Sequence, residues 1–334
     1  MDRIRSEACL IFILLIISIS SFAKDDTKVN IISWWGYISK EDKIDIKKFC
    51  KADISVDEYF SSSEFLRRWD NKSNQYDITI HSNTIYNSVK NRLPKTHKVI
   101  SVEYKYHPVI QRKLPYLELK SNTRLLTLGF TGFLWNKESF KISPKQSLKE
   151  MLDLANNKVV IILDDPMEGM QILDSLNYFK LKDSSQNGAN KAKVIISNDM
   201  EHIVGSKEFA FAYHWSGGAI QHIRKNPSKL DFLIHPNLSQ ITADLVSLNT
   251  NSAASLCVFN YLSSEAFTSK IQAETAYFSP YGPSSSNKDT EFKKIYEKYF
   301  LELDNYQWLK KPKEDDFKIV DKKWKVLKSE LSSI

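Results

Sequence analysis

The chain has 334 residues, 42% of them hydrophobic and 26% charged, values of a globular protein rather than a disordered or fibrous one. Its formal net charge is +7, but the lysines are scattered along the chain with Asp and Glu between them. That spacing describes solvated faces and argues against a nucleic-acid partner.

The first residues, MDRIR, lead into an apolar stretch from Ala8 to Ser18 and then to Ser21-Phe22-Ala23. A basic start, a short apolar run and a small-x-Ala end make up a secretory signal peptide. The run is too short for a bilayer span, which needs roughly 20 residues. Cleavage is predicted after Ala23, with export to the periplasm. Cys9 sits inside the apolar run, badly placed to become a lipidated first residue. Cys50 and Cys257 remain. An oxidising compartment permits a disulfide between them, while the apolar pattern around each suits a buried free thiol equally well. The length beyond the leader fits two lobes at about 100–200 residues per domain.

After the leader, strand-length apolar runs alternate with helix-period segments. VNIISW (29–34) reads as a buried strand closed by a turn at Gly36, and Ser39 begins a helix with Asp42 as its capping partner. DISVDEY (53–59) is a strand, SSSEFLRRWDN (61–71) a helix and YDITIHS (76–82) a strand. The pattern resumes with KVVIIL (158–163), a helix from Pro166, KVIIS (193–197), FAFAYHW (209–215), a helix from Gly218 and LDFLIH (230–235). ADLVSL (243–248) and a helix over Ser252–Leu262 follow. SPYGPSSSN (279–287) is irregular, and KKPKEDD (310–316) is charged and expected to be exposed. Such alternation predicts an α/β fold built on parallel sheets.

Four motifs carry chemistry. SWWGY (33–37) follows a strand's C-terminal end, where ligands bind in open α/β sheets. Its aromatic faces suit ammonium groups and methylene chains. In LDDPMEG (163–169), Asp165 reads as an N-cap, Pro166 as the first helical residue and Glu168 as the capping-box partner. The same carboxylates, with Asp164, also suit a cation held at the strand end. YHWSGG (213–218) ends an apolar run at Trp215 beside small residues, with His214 assigned to packing. Asp244 in TADLVSL starts a later strand. Ser216 lacks the G-x-S-x-G elbow of a serine hydrolase, and the seven histidines show no H-x-x-H spacing. No catalytic residue, metal or cofactor is therefore expected.

The order of these motifs resembles that of the periplasmic spermidine/putrescine-binding proteins of ABC importers, from about residue 28 to about residue 290. GFTGFLWN (129–136), SLKEML (147–152) and QAETAYFSPYGP (272–283) extend the resemblance. It implies a two-lobed periplasmic binding protein fold, type II-like, with a mainly parallel sheet flanked by helices in each lobe. The lobes would comprise 24–128, 129–242 and a return over 243–334, after a leader at 1–23. It implies a polyamine ligand, delivered by a monomer to a membrane ABC permease. A polyamine-sensing protein that docks on a membrane receptor is the alternative.

By the same resemblance Trp34 and Tyr37 line the first lobe's wall and Ser82 the loop after its third strand. Asp165 and Glu168 hold an ammonium end, Trp215 stacks on methylenes and Asp244 binds a further amine. Trp35, pointing the other way along the strand, is assigned to the core. The sequence departs from the family's pattern at Thr84 and Ile85, at Thr242, and at Leu309, where aromatic or glutamine contacts are replaced. Amine recognition is expected to survive these changes, in a differently shaped slot.

Overall fold

The computed structural model describes residues 27–93, 105–174, 192–283, 290–309 and 314–332. The leader predicted over residues 1–23 and the side chains of KKPKEDD lie outside the described residues. Among those described, no helix is long and apolar enough to cross a membrane.

In chain order, β1 (Lys28–Trp34) leads to α1 (Lys40–Cys50), β2 (Asp53–Tyr59), α2 (Ser62–Lys72) and β3 (Ile78–Ser82). The short helices α3 (Tyr86–Lys90) and α4 (Pro108–Lys113) precede β4 (Thr123–Asn136). Then come α5 (Leu148–Leu154), β5 (Val159–Ile162), α6 (Pro166–Asp174), β6 (Lys193–Ile196), β7 (Phe209–Trp215) and α7 (Ser216–Lys225). The chain continues through β8 (Leu230–Leu233), β9 (Ile241–Leu248), α8 (Ala253–Leu262), α9 (Glu265–Thr275), α10 (Thr290–Ile295) and α11 (Glu314–Ser332).

Local chemistry fixes several of these boundaries. The Ser39 Oγ accepts from the Asp42 amide, and the Asp42 carboxylate accepts from the Ser39 amide at 2.8 Å, so the predicted capping box starts α1. The Ser61 and Ser252 hydroxyls accept from the Glu64 and Ser255 amides and so cap α2 and α8, without the reciprocal bond. The helix expected from Gly218 starts earlier, at Ser216, directly after β7.

The strands run in the order β2-β1-β3-β9-β4-β7-β5-β6, with β8 also on β4. Parallel pairs occupy both flanks: β1 with β2 and β3, and β5 with β6 and β7. The centre is antiparallel. β4 has 14 residues, all buried; its first half pairs β9 and its second half pairs β7 and β8. At about 3.3 Å per residue it is long enough to serve both halves of the sheet. β4 and β9 are thus the strands on which the two halves meet. All the parallel strands of a half end on the same side, which gathers Trp34, Ser82 and Trp215 around one opening.

Helices cover the flanks. The buried faces of α1 and α8 pack on β1, β3 and β9 through Ile46, Val258 and Phe259, and the Cys50–Cys257 disulfide joins the two helices. α11 lies across α6. A Cβ on Gly169 would sit 2.2 Å from the Trp324 ring, so only glycine allows this approach. Trp324 Nε1 donates to Asp164 at 2.8 Å, and Ser63 of α2 donates to Asp321 at 2.6 Å. The C-terminal helix therefore touches both halves of the molecule.

Candidate ligand-binding cleft

Between the halves lies a cleft of about 460 Å³, within the usual range for small-molecule sites. Trp34, Tyr37, Ser82, Asp165, Glu168, Trp215 and Asp244 all line it. These seven come from five separated chain segments, and the fold brings them to one opening. Among the described residues that line the cleft there is no Lys and no Arg.

Asp244 sits on β9 behind the first wall. Its carboxylate accepts from Trp34 Nε1 at 2.9 Å, from the Tyr37 hydroxyl at 2.5 Å and from the Thr127 hydroxyl at 3.1 Å. Thr127 reaches it because the β4–β9 register shifts between Leu125 and Thr127, and such a bulge re-aims the side chain that follows. Trp34 is held from behind by Tyr59, with ring centroids 4.4 Å apart. Burial pushes the Asp244 carboxyl above its ordinary range, against the pull of these three donors. It also pushes the Tyr37 hydroxyl well up, reinforced by the neighbouring Asp244 charge.

The second wall is built by α6 and the end of β7. Asp165 caps α6, its Oδ1 accepting from the amides of Met167 at 2.8 Å and Glu168 at 3.1 Å. Its other oxygen accepts from Ser62 at 3.3 Å, a bond that crosses the cleft from α2. The predicted capping box is only half formed, since the Glu168 carboxylate turns instead to the indole N–H of Trp215. Burial raises both carboxyls; Glu168 lies well above its usual range, pushed further by the Asp165 charge. Asp164 faces the other way, towards Trp324 and Lys328, and does not join the cleft group.

Trp35 is a correction. It is 64% exposed and lines the cleft mouth instead of entering the core. β1 ends at Trp34, and Gly36 then takes a φ of +77°, so strand alternation no longer decides where residue 35 points. Tyr277, Thr127 and Ser62 were not anticipated. Tyr277 follows the left-handed Ala276 that ends α9 and packs over Gly129 and Gly217. A Cβ on Gly129 would lie 3.0 Å from its ring, and one on Gly217 only 2.9 Å from it.

The four departures have distinct fates. Thr84 and Ile85 are buried, and Thr84 donates to the Ser82 hydroxyl at 3.0 Å, so they shape the Ser82 loop without forming a wall. Thr242 lines the cleft. Leu309 is buried, with its amide donating to the Ile241 carbonyl. Ser216 is also buried, its Oγ accepting from the Phe130 amide at 3.1 Å. His214 packs edge-on to Trp215, and burial lowers its pKa to about 4, leaving a neutral ring. Among the described residues no group of three or more His, Cys, Asp or Glu side chains could hold a metal ion.

No protein-family profile and no curated protein matches the sequence. Solved structures do match over nearly the whole chain. One is the spermidine/putrescine ABC transporter substrate-binding protein PotD from Streptococcus pneumoniae: TM-score 0.63, 17% identity, 90% of this chain and 99% of that one. A putative spermidine/putrescine ABC transporter from Listeria monocytogenes gives 0.66 at 17% identity, again over 90% and 99%. The fold is that of a periplasmic binding protein. It is not tied to one ligand. A Listeria monocytogenes ABC substrate-binding protein in complex with cycloalternan gives 0.66 at 12% identity, over 92% and 94%.

Proposed function

We propose that this chain is a non-catalytic solute-binding protein for a polyamine or a related organic cation, exported by its leader and delivering its ligand to a membrane ABC permease. One observation carries the reading. Asp165 and Glu168 are buried and Asp244 is half-buried, all three beside aromatic rings, and no described cleft residue supplies a compensating positive charge. Burying carboxylates is costly unless a cation joins them. A cation with a methylene chain satisfies both kinds of wall: ammonium groups on the carboxylates, and methylenes against Trp34, Trp215 and Tyr277. A neutral sugar such as cycloalternan would bring these three carboxylates no counter-charge.

In this reading Asp165 and Glu168 hold one amine and Asp244 another, while Tyr37 and Ser82 complete the wall. Closure of the halves about β4 and β9 encloses the ligand. The test is thermal melting with putrescine, spermidine and spermine, using a neutral glucan oligosaccharide and γ-aminobutyrate as controls. A ligand at about 100 times its dissociation constant stabilises by roughly 2.7 kcal/mol, a visible shift in Tm. Asp165→Asn and Trp215→Ala should each weaken the amine at least about tenfold, in line with losing a charge pair or a central aromatic. If only the controls shift the melt, or none of the compounds does, the polyamine reading is wrong.

A further inference from the structure

We infer that the C-terminal helix α11 is a strap across the two halves, fastened to the first by the Ser63–Asp321 hydrogen bond. Ser63 and Asp321 are then positioning residues for the cleft wall at Asp165. The inference concerns how the halves are held and does not depend on which solute enters the cleft.

The two ends of α11 are anchored in different places. Towards its C-terminus, Trp324 and Leu327 belong to the apolar core of the second half, with Val160, Ile162 and Leu173. The Trp324 ring fills the space that Gly169 leaves on α6. Its Nε1 donates to Asp164, and Lys328 pairs with the same carboxylate. The helix therefore braces the residue next to Asp165. Towards the other end of α11, Phe317 is buried in the cluster against which Leu66 of α2 packs. Phe317 and Leu66 also line one groove with Arg67 and Ser88. Between the two anchors, Asp321 accepts from Ser63 at 2.6 Å. From Phe317 to Leu327 a helix rises about 15 Å, enough to reach from one half to the other.

The first turn of α2 meets the second half again at the neighbouring residue. Ser62 donates to Asp165 at 3.3 Å. Two consecutive serines thus bond across the cleft, one to the wall itself and one to the helix that braces the wall. Neither bond involves β4 or β9, so the pair is a connection separate from the strands on which the halves meet. Hinge opening that carries α2 away from α6 has to break both bonds. Ser62 lines the cleft yet is only 1% exposed, so that separation is what uncovers it.

The probe is Ser62→Cys combined with Cys9→Ser. With Cys50 and Cys257 joined, position 62 then carries the one free thiol. Its rate of modification by a water-soluble disulfide reagent, with no solute added, reads how often the halves part. In this background Asp321→Ala and Ser63→Ala should each raise the rate about three- to tenfold, the worth of one hydrogen bond to a charged acceptor. The double variant should match either single one, because both remove the same bond. Asp321→Asn keeps an acceptor for Ser63 and should restore the slow rate. A role confined to seating α11 on α6 would leave the thiol protected behind Asp165, so a rate unchanged by Asp321→Ala or Ser63→Ala overturns the strap. A rate raised as much by Asp321→Asn as by Asp321→Ala overturns it too, since the cross-cleft bond would not be what holds the halves.

Discussion

Asp165, Glu168 and Asp244 lie under aromatic cover with their carboxyls held above the ordinary range by burial. The folded protein therefore keeps protons that the unfolded chain, with carboxyl pKa values near about 4, has released. Stability of the ligand-free protein should fall as pH rises through the raised folded values, and this contribution is most favourable below the unfolded ones. A bound cation reverses the preference, so amine binding should release protons and weaken as pH falls. Glu168→Gln keeps an acceptor for the Trp215 indole while removing the charge. It should raise the Tm at neutral pH and flatten its dependence on pH. A variant less stable than wild type at neutral pH would show that the charge is not what strains this wall. At this scale the sequence was informative wherever a residue follows a parallel strand, because that position faces the cleft in any α/β sheet. Trp34, Ser82, Asp165 and Trp215 obey that rule. Thr127 depends on a bulge within β4, Tyr277 on the left-handed residue closing α9, and Trp35 on the turn at Gly36. None of these can be read from periodicity.

The elements themselves were legible where capping serines and apolar runs coincide, as in α1, β2 and β7. β4 was less so. A fully buried strand shows no alternation, and its partners on either side are distant in sequence. The pairing of Cys50 with Cys257 was left open for a similar reason: their separation of 207 residues says nothing about proximity until β1, β3 and β9 have brought α1 and α8 together. Once joined, they constrain a very long loop, for which the chain-entropy argument expects stabilisation of about 2–5 kcal/mol. Cys50→Ser together with Cys257→Ser should lower the urea midpoint accordingly. Amine affinity should survive, since neither helix contributes a residue to the cleft. Loss of amine binding in a variant that still melts cooperatively would mean that the bridge positions the first wall.

Taken whole, the molecule carries a net charge of +7, yet its cleft is acidic. Asp2, Arg3, Arg5 and Glu7 cancel, so residues 24–334 alone carry the same balance. The general field therefore opposes cation capture, but it is screened beyond about 8 Å at physiological salt, and the carboxylates act at shorter range. The α/β class and the alternation of its elements were visible in the chain. How the two halves are threaded was not, since that depends on which strands pair. The threading also bears on how the protein comes to exist. β3 pairs on its inner side with β9, more than 160 residues downstream as Ile78 meets Leu248 and Ser82 meets Asp244. β5, β6, β7 and β8 pair with one another or with β4 across much shorter spans. Contacts close in sequence form sooner, because less loop entropy is lost. During refolding, pulse-labelled amide exchange should find β5 and β7 protected before β3. Simultaneous protection would mean that the protein folds as one unit. If the order holds, a newly made chain spends its first moments with an unfilled sheet edge at β3, waiting for its own distant strand and open meanwhile to the wrong partner.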